Sequence, residues 1–212
     1  MTIRRHALFD FGGPLLLTPF ELNAHAERVW GLETGSLPKG PFGPDTDPRW
    51  IAWQAGEITE REYWSERAEL MDLDSFSYMR AFFEPSGDHL IRTETAALVR
   101  EVQAAGFRSG VLTNDLSAFH SAEWCEKITV LGQIDALIDL SATGHLKPHP
   151  LAYAAAAEAL GADPSAIVFL DDQAQNVAGA QTAGMTAVWF DATNVGASLD
   201  RFRTALAGSP LQ

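Results

Sequence analysis

The sequence predicts an α/β fold, a Rossmann-like doubly wound parallel sheet with an inserted helical cap. Three observations carry that expectation. From residue 90 onward, apolar runs of strand length alternate with segments of helical periodicity. Those runs are hydrophobic throughout rather than at every second position, as strands covered on both faces are. Residues 16 to 89 break the alternation altogether. The expected organisation is a core of residues 1–15 and 90–212, with residues 16–89 as a helical cap inserted after the first strand.

The first strand is read at "HALFD" (6–10), which ends in Asp10 and runs into Gly12, Gly13 and Pro14. In the insert, "ETGSLPKGPFGPDTDP" (33–48) is dense in glycine and proline and reads as a mobile loop. "ITEREYW" (58–64) reads as a helix start, with Thr59 as N-cap and Glu62 three residues on, the spacing of a capping box. Four of the six tryptophans (Trp30, Trp50, Trp53, Trp64) fall in the insert, and they are expected to form its core.

Beyond residue 90, "RTETAALVREVQAAG" (92–106) predicts a helix closing on Gly106, and "FRSGVLTND" a buried strand ending in polar residues. "LSAFHSAEWCEKITVLG" (116–132) predicts one further helix, and "IDALIDLS" a short strand. "HPLAYAAAAEALG" (149–161) has Pro150 near its start and Gly161 after its end, the asymmetry of a helix. "AIVFLDD" and "MTAVWF" complete five strands, with the small-residue helix "QAQNVAGAQTAG" between them.

Composition narrows the function classes. A hydrophobic share of 46% and a charged share of 20% are those of a soluble globular protein, and 212 residues suffice for a sizeable core. The formal charge of −13 argues against nucleic acid or an anionic membrane as partner, since both require a cationic face. The same charge means that an anionic substrate needs a local cation or metal in order to enter. No apolar run approaches the roughly 20 residues of a membrane span. The N-terminal "MTIRRHALFDFGG" has too short an apolar run for a secretion leader, so a cytoplasmic location is expected. Cys125 stands alone, which excludes a disulfide framework or a cysteine zinc site and points to a structural role. The sequence favours neither a monomer nor a homodimer.

Ligands of an open parallel sheet sit beyond the carboxyl ends of its strands, and there the polar residues cluster. One strand ends in Asp10, another in Thr113, Asn114 and Asp115, and a third in Asp171 and Asp172, with Asn176 following. A loop before the alanine-rich helix supplies Lys147. Taken singly, each has a plain structural explanation: a turn, an exposed lysine, a helix cap. Together they place the same chemistry at the ends of neighbouring strands. Converging carboxylates require a cation among them, and oxygen ligands of this kind suit Mg²⁺. The Thr113 hydroxyl and the backbone N–H groups after Gly12 and Thr113 suit oxyanions, and Lys147 is a point charge for the anion or the nucleophile. The combination is that of phosphoryl transfer onto a carboxylate.

"FDFGG", "VLTND", "LKPHPLAY" and "VFLDDQAQNVAGA" resemble, in order, the four motifs of the haloacid dehalogenase superfamily, most of whose members are Mg²⁺-dependent phosphatases. "FDFGG" with "GEITEREYW" is most similar to the branch holding glucose-1-phosphatase-like proteins and the phosphatase half of epoxide hydrolases. The resemblance implies that Asp10 attacks phosphorus and becomes an aspartyl phosphate. It implies that Thr113, the backbone at Asn114, and Lys147 hold the phosphate of a small phosphorylated molecule. Asp10, Asp172, Asp171 and the Gly12 carbonyl would bind Mg²⁺, and Asn176 would orient Lys147 or Thr113 from behind. One departure stands out. Phosphatases of this superfamily mostly carry a second aspartate, their general acid and base, two residues after the nucleophile, where this chain has Gly12. A substrate with a good leaving group, a substitute such as His25, His145 or His149, or binding without turnover would each accommodate that change. Dehalogenases of the superfamily also lack the second aspartate, but have serine and asparagine in place of Asp171 and Asp172.

Overall fold

The computed structural model describes residues 6–208; residues 1–5, with the two arginines of the leader-like stretch, lie outside the described residues. The chain divides into two compact units, one of residues 1–16 and 87–212, the other of residues 17–86.

The larger unit is a five-stranded sheet in the order β3-β2-β1-β4-β5, every pair parallel. Its strands are β1 (His6–Phe9), β2 (Ser109–Thr113), β3 (Ala136–Asp139), β4 (Ile167–Asp171) and β5 (Thr186–Trp189). Every residue of β2 and β4 is buried, and so are the last three of β1, which explains the uninterrupted apolar runs. The edge strand β3 is half-exposed, with Leu137 facing solvent. The order steps outward from β1 through β2 to β3, then returns to the other flank of β1 for β4. That reversal opens a crevice at the carboxyl ends of β1 and β4.

Four helices of the insert come first in chain order: α1 (Asn23–Trp30), α2 (Pro48–Gln54), α3 (Glu60–Glu69) and α4 (Ser75–Phe83). The larger unit adds α5 (Thr93–Ala104), α6 (Leu116–Phe119), α7 (Ala122–Glu126), α8 (Pro150–Leu160), α9 (Ala174–Thr182) and α10 (Val195–Leu206). On one face of the sheet, Leu8, Leu112 and Phe169 pack with Ala152, Tyr153, Ala156 and Leu160 of α8. On the other, the Phe9 ring meets Phe202 of α10 at 5.1 Å. The helix α10 went unread in the sequence, although Ser198, Leu199, Phe202 and Ala205 form its buried stripe.

The single helix expected over 116–132 is instead α6, α7 and a 3₁₀ turn at Thr129–Gly132. The break falls at His120, whose backbone is extended, and Ser121 starts a new helix by accepting the Trp124 N–H at 3.2 Å. The β-branched run at 128–130 then favours no helix, and Asp88 pulls the chain aside by accepting from both the N–H and the hydroxyl of Thr129.

In the smaller unit, Thr59 and Glu62 form the capping box that starts α3, each accepting the other's backbone N–H. Trp53 and Trp64 are buried with Phe20, Tyr63, Tyr78 and Phe82, and Trp30 stacks on Tyr78 at 5.0 Å. Two buried carboxylates organise the glycine- and proline-rich segment that was expected to be mobile. Glu27 accepts the backbone N–H groups of Gly35 and Leu37. Asp47 caps α2 through Trp50 and also accepts from the Tyr63 hydroxyl at 2.5 Å and from Arg67 at 2.6 Å. Burial, and then Asp47, raise the Tyr63 phenol far above its ordinary pKa.

Helix α9 approaches the start of α8 closely enough to require a glycine. A Cβ at Gly179 would stand 2.7 Å from the Tyr153 hydroxyl and 2.9 Å from Pro148 Cβ. Gly179→Ala is therefore expected to destabilise the protein by about 1–3 kcal/mol through overpacking, despite alanine's better helix propensity. Gly12→Ala is the control, because nothing lies within 4 Å of its Cβ position. Urea midpoints of the two variants against wild type check this.

Candidate active site

Asp10 stands one residue past β1, and its backbone N–H continues the ladder to the Leu170 carbonyl at 2.8 Å. Its side chain is buried, and Oδ1 accepts from the Phe11 N–H at 2.7 Å and from the Lys147 ammonium at 2.8 Å. The turn beyond it closes when Leu15 and Leu16 donate to the Phe11 carbonyl. Gly13 is required in that turn on two counts. Its φ is +79°, and a Cβ would stand 2.5 Å from Asp172 Oδ2. Gly12 is exposed and open on its Cβ side.

Lys147 is the centre of the cluster. Its ammonium lies 2.8 Å from Asp10 and 2.7 Å from Asp171, with the Phe169 ring 5.4 Å away, and the residue is 5% exposed. Burial alone would lower its pKa. The charges of Asp10 and Asp171, and the hydrogen bonds that the ammonium donates to them, outweigh that and raise it well above the ordinary lysine value. The lysine peptide is fixed to the end of β2 by Asn114, whose side chain accepts the Lys147 N–H at 2.7 Å and donates to its carbonyl at 3.2 Å.

Asp171 is fully buried and accepts from Lys147, from the Gln173 N–H at 2.8 Å and from Asn176 Nδ2 at 3.1 and 3.2 Å. Asn176, expected to orient Lys147 or Thr113, therefore acts on Asp171. Its own carbonyl accepts from Tyr153 at 2.8 Å, which ties α8 to α9 behind the lysine. Asp172 is half-buried beside Gly13. Among the described residues, Asp10, Asp171 and Asp172 each offer a carboxylate oxygen, and these oxygens all lie within 4.8 Å of one another. Three carboxylates against one ammonium leave an excess of negative charge, and an oxygen-only donor set of this kind suits a hard divalent cation such as Mg²⁺.

Thr113 is buried at the end of β2, where its carbonyl accepts the Leu140 N–H at 2.9 Å. Of the histidines weighed as substitute acids, His25 lies in the insert, where Nε2 bonds the Glu84 carbonyl at 2.8 Å. His145 and His149 are exposed and stack on each other at 4.7 Å, with His149 capping α8 through the Leu151 N–H. Burial and Asp139 push the Cys125 thiol up, in keeping with its structural reading.

One residue at the site had no legible signal in the sequence. Arg92 is buried, donates through Nε and Nη2 to the Gly13 carbonyl at 3.2 and 3.1 Å, and lies over the Phe190 ring at 5.1 Å. Its backbone N–H also donates to the Leu15 carbonyl at 2.7 Å. The turn after Asp10 is thus held by a side chain that a reading of "HLIRTETA" takes for an ordinary helix lead-in.

Removing one partner of a buried ion pair leaves uncompensated charge, so Lys147→Met is expected to cost about 3–5 kcal/mol of unfolding free energy. The folded-state pKa of Lys147 is raised, so its stabilisation is complete below the ordinary lysine value near ~10.4 and is lost only as pH rises through the folded value. The difference between variant and wild type should accordingly stay constant from about pH 6 to about pH 9 in urea titrations.

The family model described as haloacid dehalogenase-like hydrolase matches residues 44–184. Phosphatase MT3486 of Mycobacterium tuberculosis (strain CDC 1551 / Oshkosh) is 27% identical over 197 residues, 87% of this chain and 86% of that protein. Among solved structures, the HAD-hydrolase YfnB from Bacillus subtilis bound to magnesium superposes with a TM-score of 0.67 at 18% identity, over 88% of this chain and 86% of that one. The L-2-haloacid dehalogenase RSc1362 superposes with a TM-score of 0.63 at 21% identity, over 90% of this chain and 87% of that one. The two solved structures share the fold, and the match of the family model over more than half of the sequence places the chain: it belongs to the haloacid dehalogenase-like hydrolases.

Proposed function

We propose that this hydrolase is a Mg²⁺-dependent phosphatase of a small phosphorylated metabolite, acting through an aspartyl phosphate at Asp10. The observation that carries the reading is the pairing of Asp10 with a buried ammonium on one side and with Asp171 and Asp172 on the other. Asp10, Asp172 and the Gly12 carbonyl would hold the metal, with Asp171 completing the acidic set. Mg²⁺ bound there supplies positive charge between the nucleophile and the phosphate oxygens. Lys147 sets a positive charge directly against Asp10, the carboxylate that would attack. Thr113 and the backbone at Asn114 would take phosphate oxygens, beside a lysine that Asn114 fixes in place. A relative at 27% identity bears the name phosphatase, which agrees.

The acidic pair favours this reading over a metal-independent dehalogenase, in which two further carboxylates beside Asp10 would only add repulsion. Gly12 shapes the substrate class instead. With no carboxylic acid at that place, the leaving group must depart largely unassisted, which favours activated esters such as an anomeric sugar phosphate. No helix among the described residues is long and apolar enough to cross a membrane, and a cytoplasmic location is part of the same proposal.

Phosphate release from a panel of sugar phosphates and simple esters tests the reading. It should require Mg²⁺ and disappear in Asp10→Asn. Equal release from both proteins, or none from either, would leave a protein that binds phosphate or metal without turnover. Chloride release from 2-haloacids that persists in EDTA would establish the dehalogenase. Gly12→Asp has room for its side chain, and should raise the rate on esters with poor leaving groups by about 10²-fold or more while changing p-nitrophenyl phosphate little. Equal gains on both kinds of ester would refute the assignment of Gly12 as the missing acid.

A further inference from the structure

Trp189 ends β5 at the sheet edge and is 46% exposed, an unusual place for a large apolar ring. Core packing does not account for it. Its indole Nε1 donates to the backbone carbonyl of Asp172 at 2.9 Å, across a register that pairs Trp189 with Asp171. The same peptide is held from its other end, where the Gln173 N–H donates to Asp171 Oδ1 at 2.8 Å. The plane between residues 172 and 173 is thereby fixed on both sides. Its rotation would swing the Asp172 carboxylate off Gly13, which it meets so closely that no Cβ fits between them. Arg92 holds Gly13 by its carbonyl, so both walls of the contact are pinned.

The geometry points to Trp189 as a positioning residue that sets the affinity of the Asp10–Asp172 pair for a divalent cation. It touches neither the nucleophile nor the cation, and acts through the Asp172–Gln173 peptide. The inference rests on the reading of the carboxylates as a Mg²⁺ site.

Mg²⁺ titrated calorimetrically into wild type, Trp189→Phe, Trp189→Leu and Asp172→Asn, without substrate, separates the possibilities. Loss of one neutral hydrogen bond is expected to weaken Mg²⁺ binding about fivefold in Trp189→Phe, and equally in Trp189→Leu, because the N–H rather than the ring is responsible. Thermal midpoints of both variants in EDTA should fall by only a few degrees, as the loss of one hydrogen bond implies. Wild-type affinity in Trp189→Phe, with binding lost in Asp172→Asn, would overturn the role of Trp189 and leave the cation site standing. Unchanged binding in Asp172→Asn would remove the cation site and the inference with it. Weakening confined to Trp189→Leu would show a packing role and also overturn it.

Discussion

The buried ammonium of Lys147 between Asp10 and Asp171 is the constraint to which the rest of the core answers. A lysine with almost no exposure is tolerated only while both carboxylates stay within bonding distance. Each neighbouring element contributes to holding that distance. Asn114 clasps the lysine peptide, Tyr153 and Asn176 brace Asp171, and Gly179 admits α9 against Pro148. The ion triad joins the ends of β1 and β4 to a loop that belongs to neither. Replacing these groups by apolar ones of similar size need not weaken the fold. Their retention is therefore better explained by chemistry than by stability.

How much of this was legible in the sequence follows from the range of each interaction. The central strands were readable because burial on both faces writes itself into consecutive residues, as in "AIVFLDD". The capping box at Thr59 and Glu62 spans three residues and was equally plain. The meeting of Asp10, Asp171 and Asp172 could be expected because polar groups at strand ends converge in an open parallel sheet. What escaped depends on partners far apart in the chain. Asp88 meets Thr129 across 41 residues and diverts the segment expected to be one helix. Arg92 reaches Gly13 across 79 residues, and nothing local distinguishes it from other arginines at helix starts. Glu27 ties down a segment whose glycines and prolines suggested mobility, because no composition rule shows where a buried carboxylate will find its donors.

Gly12 and Gly13 share the turn after Asp10 for different reasons. Gly13 is demanded by its backbone angle and by Asp172. Gly12 is demanded by neither, since its side-chain direction is open. A glycine that sterics do not require, at the place where related phosphatases carry an acid, is a difference in chemistry rather than in architecture. The scaffold is that of a haloacid dehalogenase-like hydrolase, and on the proposed reading the variation would lie in how protons are delivered.

The sheet order also has a temporal consequence. Strand β1 pairs with β2 about a hundred residues downstream and with β4 some sixty residues further on, as the pairs Phe9 with Val111 and Phe9 with Leu170 show. Contacts of such separation form late, since long loops must close before any of them is rewarded. The insert, by contrast, is one continuous stretch with its own aromatic core. During synthesis Asp10 emerges well before β4 and gains its last neighbours only when that strand has left the ribosome. Until β2 and then β4 arrive, the central strand of the future sheet has open edges, the kind of segment that a chaperone shields.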